Sequence, residues 1–261
     1  MKKIAAALMV AFFAASGMFA LETNLETGLT FGGAAREIEN EGYISKDKEK
    51  LSTSLAGIYF AGDFELNEFF GLFADLSFNG GFDTTYEKTR SLTGSFNWGE
   101  PNYKVTSFGS LLLGADYILH LGDSIKLKLG GGLDFAVAES KANGLYVDPS
   151  TLLVANTIDF EYADWTKKSA LIGLGSKAKV NFNINKRFGF NAGLVIDWYF
   201  LTLSEKKDKN PAFIKFVINT VTPNLGNLAM FAADKSSEVL LENTFAIRPE
   251  FGVTFRFGVE D

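Results

Sequence analysis

The stretch from Val105 to Val137 alternates between two kinds of residue over a length that few folds can accommodate. Before the first turn, every second position is apolar or aromatic: Leu111, Leu113, Ala115, Tyr117, Leu119 and Leu121. After Gly122-Asp123-Ser124 the alternation resumes from Ile125 to Val137, and the opposite face carries Lys126, Lys128 and Asp134. A period of two residues predicts β-strands. Strands of roughly 9–11 residues, apolar on one side and polar on the other, are typical of a transmembrane β-barrel.

The same alternation recurs in six other segments and predicts eight strands in all. Three-residue turns alternate along the chain with long loops. We place the turns at 67–69, 122–124 and 185–187, and the loops at 34–50, between the third and fourth strands, at 139–168 and at 202–240. This is the layout of an all-β, antiparallel, up-and-down barrel in the outer membrane, with short periplasmic turns and long outer loops. The turns pair three apolar couples on the lipid face and place His120 opposite Lys126. The couples are Leu66 with Phe70, Leu121 with Ile125 and Ile184 with Phe188.

Two of the long loops are too apolar for a bare solvated surface. The segment 211–232 could form a lid over the barrel mouth, or two further strands that turn at Pro223-Asn224 and make ten in all. Apolar loop surface of this extent often marks an interaction site. Packing of the loops on one another, as a raised outer sheet, explains it equally well. The residues of the possible hydrophobic loop site are Trp98, Tyr146, Trp165, Phe213, Phe216 and Phe231.

Residues 1–20 have the organisation of a secretory signal peptide. Lys2 and Lys3 form a positive n-region, Ile4 to Ala15 form an apolar h-region, and Ala20 is a small residue before the predicted cleavage. The chain therefore divides into a signal peptide at 1–20 and one outer-membrane barrel domain at 21–261. Its net charge of −6 combines well-mixed charges of both signs, so we do not expect nucleic acid as a partner.

The polar faces of the predicted strands carry charges of both signs that would face one another across the closed barrel. Because each unpaired buried charge would cost several kcal/mol, we expect these side chains to form ion pairs that plug the lumen. A narrow polar conduit is the alternative. The expected network contains Asp63, Glu65, Asp75, Asp116, Lys126, Lys128, Asp134, Lys177, Lys179, Asp197, Arg248, Glu250 and Arg256, with Glu26 on the same face.

No motif in the sequence has the context that catalysis requires. Gly173 to Ala178 matches the dinucleotide fingerprint and Gly130 to Gly132 looks like a phosphate loop, but both lie inside period-two strands with no helix behind them. Small residues at barrel kinks are the better explanation. His120, the only histidine, lies near a tight turn at the inner rim, whereas barrel enzymes work at the outer rim. We predict no catalytic residues, no cofactor and no metal site.

A signal peptide, eight alternating strands, short inner turns, long outer loops and a Phe-rich last strand together resemble the small eight-stranded outer-membrane barrels of the OmpX and OmpW types. The resemblance is one of architecture and covers the whole mature chain. It implies an integral outer-membrane protein that contacts outer-membrane lipid and lipopolysaccharide or an equivalent, and that the barrel-assembly machinery inserts. Such families usually end on an aromatic residue, whereas Gly258 to Asp261 follow Phe257 here.

Three functional interpretations follow from the sequence. The first is a structural or surface-interaction protein with an ion-paired, plugged lumen, which could contact a host surface. The second is a narrow porin or OmpW-like conduit for small hydrophobic molecules. The third is a secreted calycin-like barrel that binds a lipid inside, and it requires the apolar faces to point inward. Strand length, aromatic rims and the asymmetry of the turns favour lipid outside.

Overall fold

The computed structural model describes residues 22–41, 46–90, 102–148, 159–208, 237–240 and 243–258. The predicted signal peptide lies outside these residues. Their regular structure consists of nine strands: β1 (Glu22–Glu41), β2 (Lys46–Glu65), β3 (Phe70–Arg90), β4 (Asn102–His120), β5 (Ile125–Asp148), β6 (Asp159–Asn183), β7 (Phe188–Asp208), β8 (Ser237–Leu240) and β9 (Asn243–Phe257). In this part of the chain, no helix is long and apolar enough to cross a bilayer.

The strands close into an up-and-down barrel. Each strand from β1 to β7 pairs antiparallel with the next, and β9 pairs with both β7 and β1. The short β8 lies on the same side of β7 as β9 and continues its course, since Tyr199 is opposite Thr244 and Thr202 is opposite Leu240. β8 and β9 therefore occupy one position in the barrel, which has eight. The predicted eight-stranded transmembrane barrel is confirmed, and the extra strands considered around Pro223 lie outside the described residues.

The three short turns lie at one end of the barrel, which we call the turn end. The amide N of Leu66, Leu121 and Ile184 donates to the carbonyl four residues later, at 2.9, 2.9 and 3.0 Å. The predicted couples are thus confirmed, and His120 is opposite Lys126 as expected. In two of the turns an asparagine side chain stabilises the backbone of the turn by hydrogen bonds. The Asn67 side chain accepts hydrogen bonds from the amides two and three residues on, at 2.8 and 2.9 Å, and Asn185 does the same.

The apolar faces of the strands point out of the barrel. Leu29, Val137 and Phe251 are each more than half exposed, whereas Lys128 and Lys179 on the opposite face have no exposed surface. This arrangement suits a barrel surrounded by acyl chains, because charges on its lipid face would be costly. It is the reverse of what a lipid-carrying calycin needs, and that interpretation is wrong for this fold.

Aromatic side chains form clusters at two heights on the outer surface. Near the turn end, the Phe188 ring packs edge-on against Phe190 and Phe255, with ring centroids 5.6 and 5.7 Å apart. Further from the turns, Trp198 stacks on Phe245 at 6.3 Å. Aromatic girdles of this kind mark the two membrane interfaces of outer-membrane barrels. The band between them is the membrane-spanning part.

The strands run well past this band, so the predicted loop boundaries are wrong. The expected loop at 34–50 is mostly strand, because β1 reaches Glu41 and β2 starts at Lys46. The loop expected at 139–168 likewise belongs largely to β5 and β6, and β3 and β7 also extend beyond their predicted ends. Outside the apolar band neither face of a strand has to be apolar. The hydrogen-bonded ladder therefore continues while the period-two signal disappears.

Glycines give room to the largest side chains inside the barrel. A Cβ at Gly252 would lie 2.3 Å from the Thr27 carbonyl oxygen and 2.4 Å from the Tyr59 hydroxyl. A Cβ at Gly130 or Gly114 would lie 2.7 or 2.8 Å from the Phe73 ring. Inside β5, Gly130 accordingly accommodates an inward phenylalanine.

Candidate functional site: the barrel lumen

Every second residue of the strands points into the lumen, and the charged side chains among these residues fill it. We call these side chains the lumen network. They are arranged in four groups from the turn end outward, centred on Lys126, on Lys177 with Lys128, on Lys179 and on Arg248. Of the thirteen residues that the sequence singles out, all but Arg256 are buried, and the Arg256 side chain is 10% exposed.

The group nearest the turns closes the periplasmic mouth. Lys126 Nζ lies 2.7 Å from Glu65 Oε2 and 3.0 Å from Glu22 Oε2. Arg256 Nη1 reaches the other oxygen of Glu22 at 3.9 Å, and the Asn24 amide donates to Glu65 at 3.0 Å. Through Lys126 these ion pairs join β5 to β1 and β2, which are not its neighbours in the sheet.

The second group surrounds Asp63 and Asp116. Lys177 Nζ lies 2.5 Å from Asp63 and 3.5 Å from Asp116, and it also sits 3.7 Å above the Phe73 ring. Lys128 Nζ lies 3.2 Å from Glu65 and 3.7 Å from Asp63. Both lysines are fully buried, so their charges are balanced by these carboxylates and not by water.

The third group, the Lys179 cluster, sets one lysine against three carboxyl groups. Lys179 Nζ lies 2.8 Å from Glu26, 3.1 Å from Glu250 and 3.5 Å from Asp75, and none of these side chains is exposed. The ammonium also lies 4.7 Å from the Tyr59 ring centroid. The second oxygen of Glu26 accepts from the Asn181 amide at 2.9 Å.

The fourth group surrounds Arg248, which is almost fully buried. Its guanidinium contacts Asp197 through Nε and Nη2 at 3.0 and 2.9 Å, and Nη2 lies 3.9 Å from Asp134. Nη1 donates to the hydroxyls of Ser110 and Ser77. Tyr199 donates to the other side of this group, at 2.8 Å from Asp134 Oδ2. One arginine thus contacts β3, β4, β5 and β7.

An apolar layer covers the lumen network on the side away from the turns. Its buried members come from six strands: Leu55, Phe108, Ala136, Leu171, Tyr199 and Ala246. The rings of Phe108 and Tyr199 meet edge to face, with centroids 6.0 Å apart. Ala34 and Ala138 pack against the same cluster. This layer lies between the Arg248 group and the outer extension of the barrel, because Ala136, Tyr199 and Ala246 are each two residues from Asp134, Asp197 and Arg248, respectively.

Sequence reasoning identified most of the charged positions but missed their neutral partners. Ser77 and Ser110 accept hydrogen bonds from Arg248, Asn181 donates one to Glu26, and the Tyr59 ring centroid lies 4.7 Å from Lys179 Nζ. All four residues lie on the inward face that the alternation assigns. Position parity was therefore the signal that could have found them. Of the expected hydrophobic loop site, Tyr146 and Trp165 are placed in strands, and only their backbone is described. Trp98, Phe213, Phe216 and Phe231 lie outside the described residues.

Within the described ranges, no group of three or more histidine or acidic side chains is arranged to hold a metal ion. His120 is exposed at the turn end, beside the equally exposed Asp123 and Ser124. The lumen groups are ion pairs and hydrogen bonds that link strands across the barrel, so their chemistry is cohesion and charge compensation.

No family model matches the sequence, and no curated protein matches it. Among solved structures, the chain is similar to the outer membrane protein OprG from Pseudomonas aeruginosa, with 9% identity over 91% of this chain and 96% of that one and a TM-score of 0.46. It is also similar to Neisserial surface protein A (11% identity, 90% and 97% covered, TM-score 0.42). The outer membrane protease OmpT from Escherichia coli is a third (10% identity, 90% and 96% covered, TM-score 0.42).

Proposed function

We propose that this outer-membrane barrel is a non-enzymatic structural or surface-interaction protein with a sealed lumen. The observation that carries the proposal is the apolar layer of Leu55, Phe108 and Leu171 and its neighbours, which lies across the lumen above the ion-paired network. A conduit would need a continuous polar path, and buried ion pairs topped by packed apolar side chains do not provide one.

The outer extension of the barrel supports the surface role. The lipid-facing alternation on β5 ends at Val137, which is followed outward by the exposed Lys141 and Asn143. The strand continues from Ala138 to Asp148. At ~3.3 Å per residue and a tilt of ~40°, this is a rise of roughly 25–30 Å above the apolar band. A wall of that height presents hydrogen-bonded sheet to a host surface or another envelope component.

The proposed setting supplies the partners. The half-exposed apolar band would contact outer-membrane lipid and lipopolysaccharide or an equivalent, and insertion would need the barrel-assembly machinery. Lys104 and Lys141, directly opposite each other on β4 and β5, lie just beyond the band and suit anionic headgroups. We expect no cofactor.

Cysteine labelling tests the sealed lumen directly, because the sequence contains no cysteine. Ser110→Cys places a thiol in the Arg248 group, where the native side chain is 2% exposed. We expect this thiol to resist a membrane-impermeant maleimide in reconstituted vesicles. Ser124→Cys in an exposed turn is the matched control and should react. The unmodified protein should show no stable conductance in planar bilayers.

Steady unitary conductance of the refolded protein, or labelling of Ser110→Cys as fast as Ser124→Cys, would contradict the sealed lumen. Either result would favour the alternative of a narrow porin or an OmpW-like conduit for small hydrophobic molecules. Uptake of a small hydrophobic dye into vesicles, measured against empty vesicles, then separates those two.

A further inference from the structure

Below the apolar layer, the described residues place more acids than bases inside the barrel. The nine inward carboxyl groups are Glu22, Glu26, Asp63, Glu65, Asp75, Asp116, Asp134, Asp197 and Glu250, and the six inward bases are Lys126, Lys128, Lys177, Lys179, Arg248 and Arg256. Full ionisation would leave three negative charges without a partner. In a space closed to water such charges are strongly unfavourable, and a buried acid takes up a proton instead.

The excess is largest in the Lys179 cluster, where three carboxyl groups share one ammonium. Both oxygens of Glu26 accept hydrogen bonds, from Lys179 and from Asn181. Asp75 accepts one from Lys179 at 3.5 Å, and its other oxygen accepts none. Glu250 is fully buried and lies 3.1 Å from the same ammonium, but neither of its oxygens accepts a well-aligned hydrogen bond from a described residue. A neutral Glu250 would need no second cation and would itself supply a donor.

A second excess lies in the Arg248 group. Asp134 and Asp197 share its single guanidinium, whose Nη2 lies 3.9 Å from Asp134 and 2.9 Å from Asp197. Two carboxylates beside one cation repel each other, so this pair favours one proton. In the two groups nearer the turn end the counts match: the acids are Glu22, Glu65, Asp63 and Asp116, and the bases are Lys126, Lys128, Lys177 and Arg256.

We propose that the lumen holds three protons at neutral pH, two in the Lys179 cluster, one of these on Glu250, and one in the carboxyl pair Asp134–Asp197. With them the nine acids carry six charges, which the six bases balance. A metal ion is the weaker explanation, because the described residues contain no group arranged to hold one. The proposal rests on the closed lumen of the proposed function, since water in the lumen would stabilise the ionised forms.

The charged and titratable groups around each site come from every strand that faces it. Glu250 on β9 faces Glu26 on β1, Tyr59 on β2, Asp75 on β3, Lys179 on β6, Asp197 on β7 and, on its own strand, Arg248. The Asp134–Asp197 pair faces Arg248 and Tyr199. Since the lumen binds these protons only when the barrel is folded, raising the pH should weaken the fold.

Infrared spectroscopy of the full-length protein refolded in lipid vesicles tests the proposal without relying on conductance or labelling. We expect a carboxylic-acid C=O band at neutral pH that shifts in D₂O and vanishes at alkaline pH. Glu250→Gln should lower that band by about a third of its intensity, given one of three proposed protons. Glu68→Gln is the control outside the lumen, because Glu68 is exposed in the turn between β2 and β3. It does not enter the charge balance of the lumen, so the band should keep its full intensity.

Absence of the carboxylic-acid band from the folded protein at neutral pH would overturn the proposal. This measurement uses the wild-type protein and needs no variant. Equal loss of the band in Glu68→Gln and Glu250→Gln would also overturn it. A band that persists while Ser110→Cys is labelled would refute the sealed lumen and leave the protons in place, so the two proposals can fail separately. Titration with Na⁺ or Mg²⁺ at fixed pH should leave the band unchanged, and its loss on adding either cation would show that the site takes a cation.

Discussion

Replacing Lys179 by methionine should destabilise the barrel by about 3–4 kcal/mol at pH 7. Methionine keeps the length of the side chain, so little packing is lost. The charge, however, is the one cation of its cluster, 2.8 Å from Glu26 and fully buried. Breaking such a buried pair typically costs about 3–5 kcal/mol. A proton could replace the ammonium, and holding a glutamic acid protonated at pH 7 costs about 1.4 kcal/mol for each of the ~2.7 pH units above its ordinary titration. The cost of holding this proton is therefore the upper limit for the stability lost in Lys179→Met.

The same reasoning predicts how the loss depends on pH. Because a proton can take the place of the ammonium, the difference between Lys179→Met and the wild type should shrink by about 1.4 kcal/mol for each pH unit below neutrality. Urea unfolding in detergent micelles, followed by the fluorescence of Trp198 on the outer surface, measures it at pH 7 and at pH 5. Lys168→Met is the control on the same strand. That side chain is 69% exposed and 3.9 Å from Glu139, so its loss should cost at most about 1 kcal/mol.

A Lys179→Met variant within about 1 kcal/mol of the wild type at pH 7 would refute the assignment of the lumen network as charge-compensated. So would a loss of the same size at both pH values, because it would then come from packing. Equal changes in the free energy of unfolding for Lys179→Met and Lys168→Met would show that the buried lysine stabilises the barrel no more than the exposed one.

Three further predictions concern the packing, the turns and the pH dependence. Gly252→Ala should cost about 1–3 kcal/mol, because its Cβ would displace both the Thr27 backbone carbonyl of β1 and the Tyr59 hydroxyl. Gly80→Ala, with no heavy atom within 4 Å of its Cβ, should change the free energy of unfolding little. Asn67→Ala and Asn185→Ala should each cost about 1 kcal/mol in the same urea experiment, since each removes two hydrogen bonds to turn amides. Above neutral pH the free energy of unfolding of the wild type should fall by about 1.4 kcal/mol per pH unit for each lumen proton that unfolding releases. Heat-modifiable gel mobility measures this loss. Stability that rises with pH would contradict this.

The orientation of the strands could be predicted from the sequence because it depends only on parity. A residue such as Lys128 shares a face with Lys126 whatever the rest of the chain does, and a lipid-facing charge would be costly. The register of the hairpins follows in the same way from the three-residue turns. The side chains of Asn67 and Asn185 at the first turn position are a signal that was available in the sequence and that supports the same register.

The height of each side chain along the barrel could not be predicted, because it depends on the stagger between strands that close the barrel. Asp63 and Lys177 meet at 2.5 Å although they are 114 residues apart and lie on opposite walls. The apolar layer was missed for the same reason. Leu55, Phe108 and Leu171 lie on strand faces that also carry polar or charged residues, and only the stagger brings them to one height.

The apolar layer and the acid excess depend on each other. If water reached Glu250, three extra carboxylates would be solvated at little cost, and the nine acids would need no protons. With Phe108 and Leu171 packed above Arg248, the same side chains are closed off, and the number of charges that the lumen tolerates equals the number of bases it contains. This dependence of the charge number on the sealed lumen cannot be predicted from the alternation or from the net charge of −6. It arises when the closed barrel fixes which carboxyl groups share a cation and which must share a proton.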